Sequence, residues 1–340
     1  MAITTTGIAA ELISLYQNDT QTAKSFMTQL QVMNETAAFF GSNGRLERTE
    51  KRYVDLVISR FTQKVQRFQK GFTPDGSLAF DGEAHPLHHV KINGEFAPDD
   101  FTEVYNSFLE GLDDADRKNW PFSRWYVEEA AKAANSFKEL NLDYKGALAT
   151  ITPGTAQYGA TTGFGQQIND WVTAEDITPI TLAPSATPED FVDQLVTFIK
   201  TVKASSTEAN ELYLSGAFDY LMLSPELHER FIEGMSKKYN TQYARITDSL
   251  LTTDASQIEM NIPGTSIKTK SLKSMSGSNK IILSPAFNRF GKVKSELRGT
   301  RPLAGVKDGG YEVWFAMDYW TRIGFYFPQY VWTNNQDLSF

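Results

Sequence analysis

Three of the four histidines stand within five residues, His85-Pro-Leu-His88-His89, with Asp81 and Glu83 just ahead of them. Imidazoles and carboxylates together form the donor set of zinc and other divalent cations, so the cluster is the first candidate for a metal centre or a metal-dependent hydrolase. The spacing fits no pair on one helical face, Pro86 breaks any helix, and the segment reads as an exposed loop. Solvated loop histidines are therefore the preferred reading of His85, His88 and His89, with metal binding as the alternative. The fourth, His228, falls in a helical pattern and is expected at a surface or in packing.

Other chemistries fare worse. The chain has no cysteine, which removes disulfides, thiolate metal sites and cysteine nucleophiles. No G-x-S-x-G elbow is present. Gly264-Thr-Ser-Ile-Lys-Thr-Lys-Ser lacks the spacing of a P-loop, and Gly159-Ala-Thr-Thr-Gly-Phe-Gly is too short for a dinucleotide fingerprint. The carboxylate doublets Asp99-Asp100, Asp113-Asp114 and Glu128-Glu129 are sequence neighbours, whose side chains point apart on a strand or helix. Neither a catalytic residue nor a cofactor is assigned. Contact surface is plentiful instead: 23 Phe, 14 Tyr and 6 Trp, residue types enriched where proteins touch proteins.

The elements that must carry these residues show in the patterning. With 340 residues, 41% hydrophobic and 22% charged, the chain can bury a substantial core and is not disordered as a whole. A net charge of −8 disfavours a dedicated nucleic-acid surface. The first residues lack a secretory pattern and no apolar run is long enough to span a bilayer, so a soluble cytoplasmic chain is expected. Charge falls in blocks. Residues 45–70 carry eight bases against three acids, residues 75–116 eleven acids against Lys91, and residues 266–301 nine bases against Glu296. Such blocks are either solvated faces or complementary surfaces of neighbouring copies.

Helical spacing is expected in the first forty residues, with Leu12, Leu15 and Tyr16 one turn apart, and from Glu47 to Phe68, where Val54, Ile58, Phe61, Val65 and Phe68 form a stripe. From there to Pro98 the chain reads as loop or extended hairpin. A helix over 123–140 would set Tyr126, Ala130, Ala133, Phe137 and Leu140 on its apolar face, and Thr150–Gly165 suits strands and turns. Thr187-Pro-Glu-Asp and Ser224-Pro-Glu are helix starts with a capping hydroxyl, Pro in the first turn and acids behind it. Between them Tyr220–Leu223 reads as a buried strand. Ile262-Pro-Gly-Thr and Ser276-Gly-Ser-Asn mark turns, and 280–284, 311–320 and 323–327 read as strands, the 311–320 run apolar on both faces.

Leu221-Met-Leu-Ser-Pro-Glu-Leu227, Ile262-Pro-Gly-Thr-Ser-Ile-Lys268, Gly277–Pro285, Tyr311–Met317 and Ile323–Trp332, in that order, give the C-terminal third a pattern that resembles the major capsid proteins of tailed bacteriophages with the Hong Kong 97-type fold. The resemblance covers roughly residues 185–335. It implies an α+β chain with an N-terminal arm at 1–54, an extended E-loop region at 55–103, and a first part of a peripheral domain at 104–186 with its long spine helix near 123–140. An axial domain would follow at 187–285 and the closing peripheral strands at 286–340. The implied function is a non-enzymatic shell subunit that forms pentamers and hexamers of itself in an icosahedral virion assembled in the host cytoplasm. Portal, scaffolding or decoration proteins and packaged double-stranded DNA, held without sequence specificity, would be its partners, and no membrane would. Arg45, Arg48, Arg52, Asp99, Asp100, Lys292, Lys294 and Arg298 are the expected assembly contacts. An encapsulin-like compartment shell, a metal-dependent hydrolase built on the histidine cluster, and a monomeric binding module are the alternatives.

Overall fold

The computed structural model describes residue 10 and residues 34–41, 47–49, 52–63, 76–96, 122–148, 159–239, 259–294, 303–307 and 312–337. The stripe at Leu12, Leu15 and Tyr16 lies outside the described residues, as do Arg45, Asp99, Asp100 and Arg298. The organising element is a strand of fourteen residues, β10 (Glu312–Phe325), which joins the two aromatic runs of the sequence into one. Along one edge it pairs antiparallel with β4 (His88–Phe96). Along the other it pairs first with β9 (Leu303–Lys307) and then with β8 (Arg289–Lys294), beyond which β1 (Glu47–Arg48) adds in parallel. Both faces of β10 take cover, as its composition requires: Val313 is fully buried, and Trp314 lies so close over Gly305 that a Cβ there would meet the indole at 2.7 Å.

The expected helix from Glu47 to Phe68 is not formed. Its described residues make β1 and the eleven-residue strand β2 (Tyr53–Gln63), which among the described residues pairs only with β3 (Gly76–Pro86), in an antiparallel ribbon. The residues spaced at three and four are largely β-branched or aromatic, types that fit a pleated surface as well as a helix face, and pairing along the whole strand outweighs the helical spacing. The following segment, expected as loop or extended hairpin, is extended but makes no hairpin of its own: β3 runs into β4 across Leu87, and the two pair with β2 and β10 respectively.

A 16-residue helix, α2 (Phe122–Phe137), follows and widens into a π-helical turn at Lys138–Leu142. Its polarity is opposite to expectation. Ala131, Asn135, Lys138, Glu139 and Leu142 are buried, whereas Ala133, Phe137 and Leu140 face solvent. The reason is a long-range contact: a short helix, α1 (Glu35–Phe40), and its cap present polar groups to this side, where Asp143 and Glu139 accept hydrogen bonds from Asn34 and Thr36. After a turn at 159–163, helix α3 (Phe164–Thr173) begins inside the stretch expected to be strand and turn.

The second half follows its sequence signals closely. Helix α4 (Pro188–Ser205) starts on proline with Glu189 and Asp190 in its first turn, though the Thr187 hydroxyl makes no capping bond. Its Phe191, Leu195, Phe198 and Val202 are all buried. Helix α5 (Thr207–Leu214), strand β5 (Tyr220–Leu223) and helix α6 (Pro225–Tyr239) come next, α6 capped by Ser224 Oγ accepting from the Leu227 N–H at 3.3 Å. Strand β5 is central in a sheet ordered β11 (Trp332–Thr333), β7 (Ile282–Leu283), β5 and β6 (Lys268–Ser271), and α4 and α6 share one hydrophobic cluster with it. The expected turns hold Gly264 and Gly277 at φ of +74° and +78°, which glycine adopts without strain.

Helices α4 and α6 meet where Gly234 faces the first turn of α4: an added Cβ would lie 2.1 Å from the Pro188 carbonyl oxygen. Gly234→Ala is expected to destabilise the fold by about 2 kcal/mol, the cost of overpacking a close backbone contact, read as a lower denaturation midpoint.

Candidate functional site

The three clustered histidines do not converge. They lie at the junction of β3 and β4, with His85 and His88 buried in the body of the protein and not in an exposed loop. His85 Nε2 lies 2.9 Å from the Tyr326 carbonyl oxygen, and its ring packs on Phe290. His88 Nδ1 accepts from the Thr162 N–H at 3.0 Å, so this nitrogen carries no proton and the ring is neutral. His89 points to the opposite face of the strand, 2.6 Å from Asp318 and stacked on Trp320 at 4.5 Å; Arg52 also sits against Trp320, 5.0 Å from the ring centre. Alternation along β4 separates His88 from His89. Among the described residues no group of three His, Asp or Glu side chains could hold a metal ion. His228 is fully buried, in packing.

What the histidines form is the root of the β2–β3 ribbon. Arg322 donates to the Pro86 carbonyl at 3.1 Å, and Leu87 donates its N–H to the Arg52 carbonyl. Burial first, and then the Arg322 charge, lower the His88 pKa to about 4; His85 is also lowered, by burial first and by Arg322, against its hydrogen bond to Tyr326.

A second polar assembly joins α1 to the end of α2. Asn34 caps α1 through Oδ1, which accepts from Ala37 N–H at 2.8 Å, while its Nδ2 donates to Asp143 at 2.6 Å. The other Asp143 oxygen accepts from Lys138 at 2.7 Å, and both members of this ion pair are buried. Glu139 accepts from the Thr36 N–H at 3.1 Å, and Thr36 Oγ1 lies 2.9 Å from Ser274 Oγ. Burial raises the Glu139 pKa, with Asp143 and Glu35 adding to the rise and the Thr36 bonds opposing it. On the apolar side, Phe40 packs on Phe164 and Phe325 at 4.8 and 5.3 Å.

The basic block of 266–301 is met largely inside the chain. Lys268 pairs with Glu259 at 3.1 Å, Lys270 and Lys273 flank Glu35, Arg289 pairs with Asp219, and Lys292 with Glu47 beside β1. Of the other expected contact residues, Arg48 lies on β1 opposite Val293, Arg52 is exposed, and Lys294 is half-buried at the end of β8. Sequence reasoning missed Asn34, Thr36, Asp143 and Arg322. Only Asn34 carried a local signal, a capping side chain ahead of Glu35-Thr-Ala-Ala.

No family model and no curated protein matches the chain. Solved structures do. The chain is similar to the cyanophage A-1(L) capsid asymmetric unit, at 10% identity and a TM-score of 0.52 over 91% of this chain and 94% of that one. It is similar to the satellite phage P4 procapsid that includes the size determination protein, at 9% identity and 0.51 over 93% and 92%. The fold is the Hong Kong 97-type capsid fold. The holo-SrpI encapsulin complex from Synechococcus elongatus also aligns, at 10% identity and 0.42 over 87% and 86%.

The folded pKa of His88 lies below its unfolded value of 6.5, so its contribution to stability is full above that value and is lost as pH falls through about 4. The interval corresponds to on the order of 3 kcal/mol. His88→Asn keeps an acceptor near Thr162 without titrating there. The wild type is expected to lose more thermal stability than this variant between pH 6.5 and 4, and parallel losses would remove His88 as the cause.

Proposed function

We propose that the chain is the major capsid protein of a tailed bacteriophage, a structural subunit without catalytic activity that assembles with copies of itself into the virion shell. The observation that carries this reading is the fold shared over nine-tenths of both chains with the cyanophage and satellite-phage capsid subunits. Residues 1–54 are then the N-terminal arm, 55–103 the E-loop region, 104–186 and 286–340 the peripheral domain with α2 as its spine helix, and 187–285 the axial domain. The ribbon geometry supports the division. A two-stranded sheet alone is marginal in water, and among the described residues β2 and β3 pair only with each other, so cover from a neighbouring subunit would stabilise the ribbon. Pentamers and hexamers around the axial domains, a portal, scaffolding or decoration proteins, and double-stranded DNA inside the shell complete the proposal. A net charge of −8 suits a container from which DNA must leave freely.

Arg45, Arg48, Arg52, Asp99, Asp100, Lys292, Lys294 and Arg298 remain the proposed assembly contacts, with Lys292 shared between its own Glu47 and the neighbour. The hydrolase reading has no support from the geometry, since two of its three histidines are buried and the third is held by Asp318 and Trp320.

Particle mass tests the function. The purified chain, alone or with a co-expressed scaffolding protein, is expected to form closed shells or rings of five and six by light scattering and negative-stain microscopy. A persistent monomer under both conditions would overturn the shell reading. Protein cargo in place of DNA inside natural particles would replace phage head with cellular compartment.

A further inference from the structure

Where the end of α2, the turn at 159–163 and β10 come together, Lys138, Asp143, Thr161, Thr162, Thr321 and Arg322 line a polar cleft. As it stands, the cleft offers no room for a water molecule. Thr321 is 1% exposed, and its hydroxyl oxygen has no hydrogen-bond partner. A buried hydroxyl left unpaired is unfavourable, and valine, of the same shape, would avoid the loss. Asp143, the one carboxylate among the described lining residues, already accepts from Lys138 and Asn34 with its two oxygens.

His88 adjoins this cleft at two of its lining residues. It stands directly across the ladder from Thr321, on the same face of the sheet, and its Nδ1 accepts from the Thr162 N–H at 3.0 Å. That bond fastens the turn to β4 only while the ring is neutral. A protonated Nδ1 is itself a donor, and two donors cannot bond each other. The turn has a second anchor at Gly163, whose N–H donates to the Gly146 carbonyl at 2.8 Å. Loss of the His88 bond therefore frees Thr161 and Thr162 while α3 stays in place. The charged and titratable groups about the ring are Arg322 on β10, His85 at the end of β3, and Lys138 and Asp143 at the end of α2. Tyr319, on the same face of β10 as Thr321, is kept neutral by burial and then by Asp143, which raise its pKa.

We propose that this cleft is a binding site for a small oxyanion, filled as His88 takes up a proton. Charge supports the assignment. Protonation sets a new cation beside Arg322 and Lys138, where the one carboxylate is already in use. A buried charge without a counter-ion is strongly disfavoured, so an anion that enters with the proton offsets it. The donors support it too. The Thr321 hydroxyl, the Lys138 ammonium, the His88 imidazolium and the freed Thr162 N–H come from separate segments, an arrangement that suits the several oxygens of one ion. Opening of the turn supplies the room. The site is independent of the capsid reading, and its test needs no assembly.

Sulfate is the probe, with chloride at equal ionic strength as the reference. Calorimetric titration of the full chain at about pH 5 is expected to show saturable sulfate binding with net proton uptake, read from the dependence of the heat on the buffer. Binding should fade toward neutral pH, where the ring holds no proton. Thr321→Val is expected to melt at neutral pH no lower than the wild type, and to bind sulfate about tenfold or more weakly at the acid pH. His88→Asn should remove the proton uptake. No saturable sulfate binding at the acid pH, or equal binding in the wild type and both variants, would overturn the site. Chloride bound as tightly as sulfate would overturn the oxyanion assignment. A lower neutral melting temperature for Thr321→Val would also overturn it, because the hydroxyl would then have its partner within the closed fold.

Discussion

The ion pair of Lys138 and Asp143 is the interaction on which the rest of the structure turns. Both groups are withdrawn from water, a cost that their mutual attraction offsets only when every remaining hydrogen-bonding site is used. Asn34 supplies that completion on the second Asp143 oxygen, and in doing so caps the helix that begins at Glu35. The N-terminal segment is therefore drawn against the end of α2 by the needs of a buried carboxylate. Phe40 then reaches the core between Phe164 and Phe325, and Glu35 reaches Lys270 and Lys273 beside β6. One six-residue helix joins three parts of the chain that are far apart in sequence.

The same constraint sets the orientation of α2. Once Lys138, Glu139 and Asn135 are taken inward, the apolar residues on the opposite face have only the outside left. The β2–β3 ribbon is rooted in the body through His85, His88 and Arg322, while among the described residues its strands pair only with each other.

Charge distribution shows how far blocks along a sequence can mislead. The strongly basic stretch from 266 onward looks like a surface awaiting an acidic neighbour. In the folded chain Lys268, Lys270, Lys273, Arg289 and Lys292 each stand beside a carboxylate from Glu35, Glu47, Asp219 or Glu259. These acids come from distant segments, and most of the pairs are partly exposed, so each contributes modestly to stability. Their main effect is to leave fewer free bases on the outside than a count of residues implies.

The sequence by itself determined the elements whose signals are local and mutually consistent. The proline-led starts of α4 and α6, the buried strand between them, the glycine turns at 264 and 277 and the doubly apolar β10 were all legible, because capping, backbone restriction and side-chain alternation act within a few residues. The order of these elements also carried the resemblance to the capsid fold. Tertiary structure alone decided the rest. The residues from Tyr53 to Gln63 satisfy helix and strand spacing alike, and only pairing with residues 76–86 selects the strand. The histidine cluster looked like a loop because Pro86 and Asn93-Gly94 suggest breaks, yet β3 extends to Pro86 and β4 runs through Asn93-Gly94 to pair with β10. The inward face of α2 depends on Asn34, more than a hundred residues away from Asp143, and no window along the chain contains both. Helix polarity is a choice between two faces, and here a buried charge outweighed hydrophobic burial in making it.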